Sequence, residues 1–212
     1  MPENHRIEVP DPGRVLVLAS GNPGKLRELS AMLRALGWTV RSQQEWGIAD
    51  AVEDGLTFVE NALIKARHAS RHTRLPSLGD DSGLVVAALG GAPGIRSARF
   101  AGERFDAAAN NRKLLQALRG VPASQRTAHF YCALALVRHA DDPMPLIATG
   151  SWRGSIGENP RGEGGFGYDP LFWVASHART AAELEPAVKN RLSHRGQALA
   201  ALVERLKLEQ FD

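Results

Sequence analysis

The feature that most constrains the fold is an abrupt change of hydrophobic period near the start of the chain. Arg14 to Ala19 (RVLVLA) is a short continuous apolar run, suited to a strand covered on both faces. It breaks at Ser20-Gly21-Asn22-Pro23-Gly24, and from Lys25 onward Leu26, Leu29, Leu33 and Leu36 recur three and four residues apart. The segment reads as strand, tight loop and helix, with Gly37 expected to end the helix. A strand buried on both faces requires helices packed above and below it, so this unit points to an α/β architecture.

The same alternation continues. Trp38 to Ser42 reads as a second strand, and the acidic loop Asp50 to Gly55 leads into Thr57-Phe58-Val59-Glu60, a capping-box pattern that opens a helix to about Arg71. Asp80-Asp81-Ser82-Gly83 lies between apolar stretches and reads as a strand break that displays polar side chains. Ala88 to Gly94 is loop-like. Ala107 to Leu118 is expected to be a helix with Leu114, Leu115 and Leu118 inward, Thr127 to Arg138 a long strand, and Ile147 to Ile156 its partner. A glycine-rich loop, Gly157 to Gly167, precedes Tyr168 to Val174, and Ser193 caps a last helix with Leu199, Leu202, Val203 and Leu206 on its core face.

With 212 residues, 43% of them hydrophobic, the chain can bury a full core as a single domain, residues 14 to 212. Twenty-six Lys and Arg against 23 Asp and Glu leave a net charge of only +3, spread without a basic tail. That balance gives no argument for nucleic-acid binding, so positive charge must be gathered locally by folding. Met1 to Gly13 is polar and proline-containing, reads as a disordered lead-in, and has no apolar stretch of signal or membrane-spanning length; a cytoplasmic location and no membrane partner are expected. The lone Cys132, inside the apolar run His129 to Val137, reads as core.

Several segments carry possible chemistry. Ser20 to Lys25 joins a buried strand to a helix N-terminus, where amide groups and the helix dipole favour an anion and Lys25 adds a full charge; an ordinary turn with a solvated lysine is about as common a reading. It is not a Walker A loop, since Ala19 and Leu26 stand where Gly and Ser or Thr are needed. Asp80 and Asp81 could hold Mg²⁺ or position water, with Glu53 or Asp54 completing the site, although an Asp-rich turn is the commoner use of such residues. Gly162 to Gly167 formally fits G-x-G-x-x-G, but the Tyr168-Asp169-Pro170 that follows cannot easily open the required helix, which excludes a dinucleotide fold. The loop is better suited to presenting Phe166 and Tyr168 as flat surfaces for a base, with Asp169 as acceptor or supporting group, although an aromatic pair packed under a surface loop is about as common a reading. Lys189 to Arg195 is a basic cluster ahead of a helix, suited to phosphate or a purine carbonyl, although such charge runs are usually solvated faces. His68 and His72 lack a third ligand and are assigned no function.

In this order, Ser20-Gly21-Asn22-x-Gly24-Lys25, Thr57-Phe58-x-Glu60-Asn61-Ala62, Asp80-Asp81-Ser82-Gly83-Leu84, Gly91-Ala92-Pro93-Gly94, Gly164-Gly165-Phe166-Gly167-Tyr168-Asp169-Pro170 and Ser193-His194-Arg195-Gly196 closely resemble the Ham1/RdgB family of non-canonical purine triphosphate pyrophosphatases. The resemblance spans roughly Val15 to Leu208. It implies an elongated mixed sheet with flanking helices, two lobes around a central substrate cleft, a homodimer, and Mg²⁺-dependent conversion of ITP, dITP or XTP to the monophosphate and pyrophosphate.

Carried over position by position, the resemblance gives Ser20, Gly21, Asn22, Pro23, Gly24 and Lys25 to the triphosphate. Glu53 and Asp81 become metal ligands, and Asp81 also the proton acceptor. Ser82, Phe166, Gly167, Tyr168, Asp169, Lys189, His194 and Arg195 become the remaining substrate contacts. Two other readings keep the same motifs: a nucleotide- or nucleic-acid-binding protein without catalysis, and a pyrophosphatase acting on canonical or pyrimidine triphosphates.

Overall fold

The computed structural model describes residues 14–34, 37–102 and 106–208. The lead-in expected for residues 1–13 and the helical position assigned to Leu36 lie outside them. The chain runs β1 (Val15–Leu18), α1 (Pro23–Leu33), β2 (Thr39–Ser42), α2 (Phe58–Thr73), β3 (Ser77–Val86), α3 (Ala107–Ala117), β4 (Thr127–Val137), β5 (Leu146–Ile156), β6 (Phe172–Val174), β7 (Arg179–Thr180), α4 (Pro186–Leu192) and α5 (His194–Leu208), with a 3₁₀ turn at Gly94–Arg99 between β3 and α3. Among the described residues the strands form one mixed sheet, ordered β2-β1-β3-β4-β5-β6-β7. β1 pairs in parallel with β2 and β3, and every later pairing is antiparallel.

The three long strands β3, β4 and β5 form the spine, and alternation along them sorts side chains between the two faces. On one face, toward the β1 end, Leu78, Leu134, Leu136 and Leu146 pack with Leu29 and Leu33 of α1 and Leu199 and Leu202 of α5. Farther along the same strands, Leu84, Phe130, Trp152 and Phe172 form a second cluster with Leu114 and Leu118 of α3. Each fully buried leucine contributes roughly 1.5–3 kcal/mol of transfer free energy. The opposite face carries Ala133, Ala135 and Val137, covered by Ala62 and Ala66 of α2.

Two strand glycines set how closely the helices approach. A Cβ on Gly79 would overlap the Ala62 carbonyl oxygen of α2, and one on Gly150 would overlap the His194 carbonyl oxygen of α5. The helices therefore pack with backbone against backbone, on opposite faces of the sheet. This places the first turns of α2 and α5 beside the middle of β3.

The capping box at Thr57 is present, with the Thr57 hydroxyl accepting from the Glu60 amide and the Glu60 carboxylate accepting from the Thr57 amide. One expectation is overturned: Asp80 and Asp81 do not mark a strand break. β3 pairs with β4 along its whole length, with Asp80 opposite Leu134 and Asp81 opposite Ala133. Both aspartates are buried, at 0% and 6% exposure. Carboxylates survive inside a sheet only when cations meet them there, and each has its own, as described below. The basic cluster also divides, because Lys189 sits within α4 and Ser193 joins α4 to α5.

Candidate active site

Beside the middle of β3 lies a cavity of about 670 Å³. Its walls include the Ser20–Lys25 loop, Glu53, Asp81, Ser82, Phe166–Asp169, Lys189, His194 and Arg195. Segments up to 175 residues apart in sequence thus share one space, and every position that the resemblance assigns is among them, whereas Asp54 and Asp80 are not.

The phosphate-type loop is built by helix capping. Pro23 opens α1, where its missing N–H costs nothing, and the Asn22 side-chain oxygen accepts from the Gly24 amide at 2.8 Å and the Lys25 amide at 3.2 Å. That oxygen stands where an anion would meet the positive end of the helix. The Ser42 hydroxyl, at the end of β2, donates to the Ser20 carbonyl at 3.0 Å and ties the loop to the sheet edge.

Asp80 and Asp81 are neighbours on a strand and so face opposite ways. Asp81 faces α2, where Lys65 Nζ lies 2.7 Å from its Oδ1 and Asn61 Nδ2 lies 3.4 Å from its Oδ2. The same Lys65 ammonium lies 3.0 Å from Glu53, and Arg99, from the 3₁₀ turn, holds Glu53 from outside at 3.2 Å. Burial alone would lower the Lys65 pKa, but Asp81 and Glu53 override it and keep the ammonium charged. Burial pushes the Asp81 carboxyl up, with Lys65 opposing. Asp80 has a different set of partners: Lys25 Nζ at 2.5 Å, Arg195 Nε at 2.7 Å and the Ser82 hydroxyl at 2.9 Å. Burial would raise its pKa, but Arg195 and Lys25 hold it well below the usual carboxylate range.

Glu53 and Asp81 are the pair suited to a metal ion. Both offer carboxylate oxygens to the cavity, and a cation, the Lys65 ammonium, already bridges them, so the spacing accommodates positive charge. Two carboxylates, with water and phosphate oxygens supplying the rest, match how Mg²⁺ is commonly bound. Among the described residues no cluster of three or more His, Cys, Asp or Glu forms a metal cage.

On the cavity wall near Gly24, Phe166 is 38% exposed, with Lys189 Nζ 5.3 Å and Arg195 Cζ 5.6 Å from its ring centroid. Asp169 fixes this loop by accepting from the Phe166 amide at 2.8 Å and from Lys189 at 2.6 Å. Tyr168 differs from Phe166. It is buried, its hydroxyl donates to the Ser97 carbonyl at 2.8 Å, and it forms wall instead of an open stacking face. His194 stacks on Phe130 with ring centroids 4.9 Å apart. Burial, with Arg195 adding to it, pushes its imidazole well below the ordinary value, so the ring is neutral.

Sequence reasoning missed Lys65, Glu28 and Arg99. Lys65 carried a readable signal: it lies four residues after Asn61 in the alanine stripe Ala62, Ala66, Ala69 that faces the sheet, and a lysine there needs a carboxylate partner. Glu28, which meets Arg195 at 2.7 Å, and Arg99 lie on surfaces where charged residues are ordinary, and only the fold brings them to the site. Cys132 is core, as expected, although its thiol lies 3.9 Å from Asp80.

Residues 16–205 match the model of the Ham1 family. The dITP/XTP pyrophosphatase of Xanthomonas campestris pv. campestris is 61% identical over 191 residues, covering 90% of this chain and 96% of that protein. The dITP/XTP pyrophosphatase of Thioalkalivibrio sulfidiphilus is 58% identical, covering 91% and 98%. The solved structure of a HAM1 protein from Coxiella burnetii superposes with a TM-score of 0.86 at 51% identity, covering 92% of this chain and 98% of that one.

Proposed function

The chain belongs to the Ham1 family, and on that premise we propose that it hydrolyses the non-canonical purine triphosphates ITP, dITP and XTP to the monophosphate and pyrophosphate, clearing them from the nucleotide pool. The observation that carries this reading is the Asp81–Lys65–Glu53 bridge on the wall of a cavity that also presents the Phe166 ring beside two cations.

In this reading the triphosphate lies along the Ser20–Lys25 loop, its charge met by the α1 N-terminus and Lys25. Mg²⁺, held by Glu53 and Asp81, would polarise the phosphate oxygens and screen their charge. Asp81 takes a proton from the attacking water; Lys65, 2.7 Å away, keeps that carboxylate oriented and offers positive charge to the developing pyrophosphate. Attack at the α-phosphorus breaks the α–β anhydride bond, and pyrophosphate leaves.

The base lies against Phe166. Donors from Lys189 and Arg195 suit a 6-oxo group, whereas the 6-amino group of adenine would set donor against donor, a mismatch that costs orders of magnitude in a well-matched site. A homodimer and a cytoplasmic location belong to the same proposal. None of the described helices is long and apolar enough to cross a membrane.

The test is pyrophosphate release from ITP, dITP, XTP, ATP, GTP, dTTP and CTP, with Mg²⁺ and with EDTA. Release confined to inosine and xanthosine nucleotides and lost in EDTA supports the proposal. Hydrolysis of every nucleotide overturns the substrate assignment, and hydrolysis of none overturns the enzyme. Light scattering on the eluted protein tests the dimer.

A further inference from the structure

The two adjacent aspartates of β3 have separate environments, and the second of them accounts for only one. Asp80 has no exposed surface and does not contribute to the cavity wall, so it cannot reach substrate or bulk water. Both its oxygens are nevertheless fully engaged. Oδ1 accepts from Lys25 and Ser82, Oδ2 accepts from Arg195 Nε and faces the Cys132 thiol, and Lys25 also donates to the Asp80 backbone carbonyl at 3.1 Å. Arg195 Nη2 donates to the Ser82 hydroxyl at 3.1 Å, which closes a ring through Asp80.

Both cations line the cavity, and in the function proposed above Lys25 meets the triphosphate and Arg195 the base. Both are long, flexible cations that would each lose considerable rotamer freedom on meeting a ligand. A single rigid carboxylate, set in the middle of a paired strand, fixes them both beforehand. We infer that Asp80 is a positioning residue, which sets Lys25 and Arg195 at a fixed separation so that triphosphate and base are gripped in register. Asp81, facing the other way, is left as the carboxylate that works on the water. This inference rests on the cavity being a nucleotide pyrophosphatase site.

The experiment measures ITP and ATP hydrolysis, together with thermal unfolding, for the wild type, Asp80→Asn and Asp80→Glu. In Asp80→Asn an amide N–H faces the Arg195 guanidinium donor or the Lys25 ammonium, so one cation is released. In Asp80→Glu the charge is kept but displaced by roughly 1.5 Å, one carbon–carbon bond. The expected result is a KM for ITP raised about tenfold or more, a reduced preference for ITP over ATP, and a kcat within about threefold of wild type, the pattern of lost binding rather than lost chemistry. If Asp80→Asn does not fold, the same readout on Asp80→Glu decides the matter.

A kcat lowered a hundredfold at unchanged KM overturns the inference by placing Asp80 in the chemistry. A lower melting temperature with both constants unchanged overturns it by reducing Asp80 to packing. A wild type inactive on ITP overturns the pyrophosphatase reading itself, and is distinguished from both by needing no variant.

Discussion

Lys65 Nζ lies 2.7 Å from Asp81 Oδ1, a contact made by the second turn of α2 against the middle of β3. Lys65 is therefore both the cation that opposes the effect of burial on Asp81 and a bridge to Glu53. In the proposed mechanism Asp81→Asn removes the proton acceptor and one metal ligand but keeps the side-chain volume. Turnover of ITP should fall at least about a hundredfold with nucleotide binding retained. Steady-state kinetics paired with equilibrium binding of ITP in Ca²⁺ check this, and near-normal turnover would remove Asp81 from the mechanism.

Lys25→Ala should act mainly on binding. A charge-assisted hydrogen bond is worth about 1.5–3 kcal/mol, so KM for ITP should rise roughly ten- to a hundredfold. Asp80 keeps Arg195 and Ser82 as partners, so the protein should still fold. Unchanged KM and kcat would place Lys25 outside the site.

Gly79→Ala tests how the site is assembled. The added methyl would meet the Ala62 carbonyl of α2 and push the helix that carries Asn61 and Lys65 away from Asp81. A loss of about 1–3 kcal/mol in urea unfolding is expected, with reduced kcat in the fraction that folds. Unaltered stability would mean that α2 is not seated against β3 as described.

His194 should make stability pH-dependent. Its folded pKa lies well below that of an ordinary imidazole, because burial and Arg195 both disfavour the imidazolium. Below about pH 6.5 the unfolded chain binds a proton that the folded one refuses, so this group subtracts stability as pH falls and is neutral above it. Asp81 and Asp169, whose pKa values are raised by burial against the opposing lysines, act in the opposite sense at lower pH. The comparison must therefore be between wild type and His194→Gln: the wild type should lose more stability from pH 7.5 to 5.5, measured by urea unfolding without ligand. Equal losses would contradict a buried neutral His194.

Local order is what the sequence alone determined. The change of period at Ser20, the capping box at Thr57 and the apolar run His129 to Val137 each report a chain segment's own hydrogen-bonding and burial needs, and each formed the expected element. The order of six motifs likewise picked out the residues that line the cavity. What only the tertiary structure decided is which partner each charge meets. A pair such as Asp80-Asp81 reads locally as a polar strand break because ionised carboxylates avoid burial. That reading fails here because Lys25 and Arg195 arrive on one face and Lys65 on the other, from helices 16 to 115 residues away along the chain. Charge pairing depends on distance in space, and no local pattern encodes that distance.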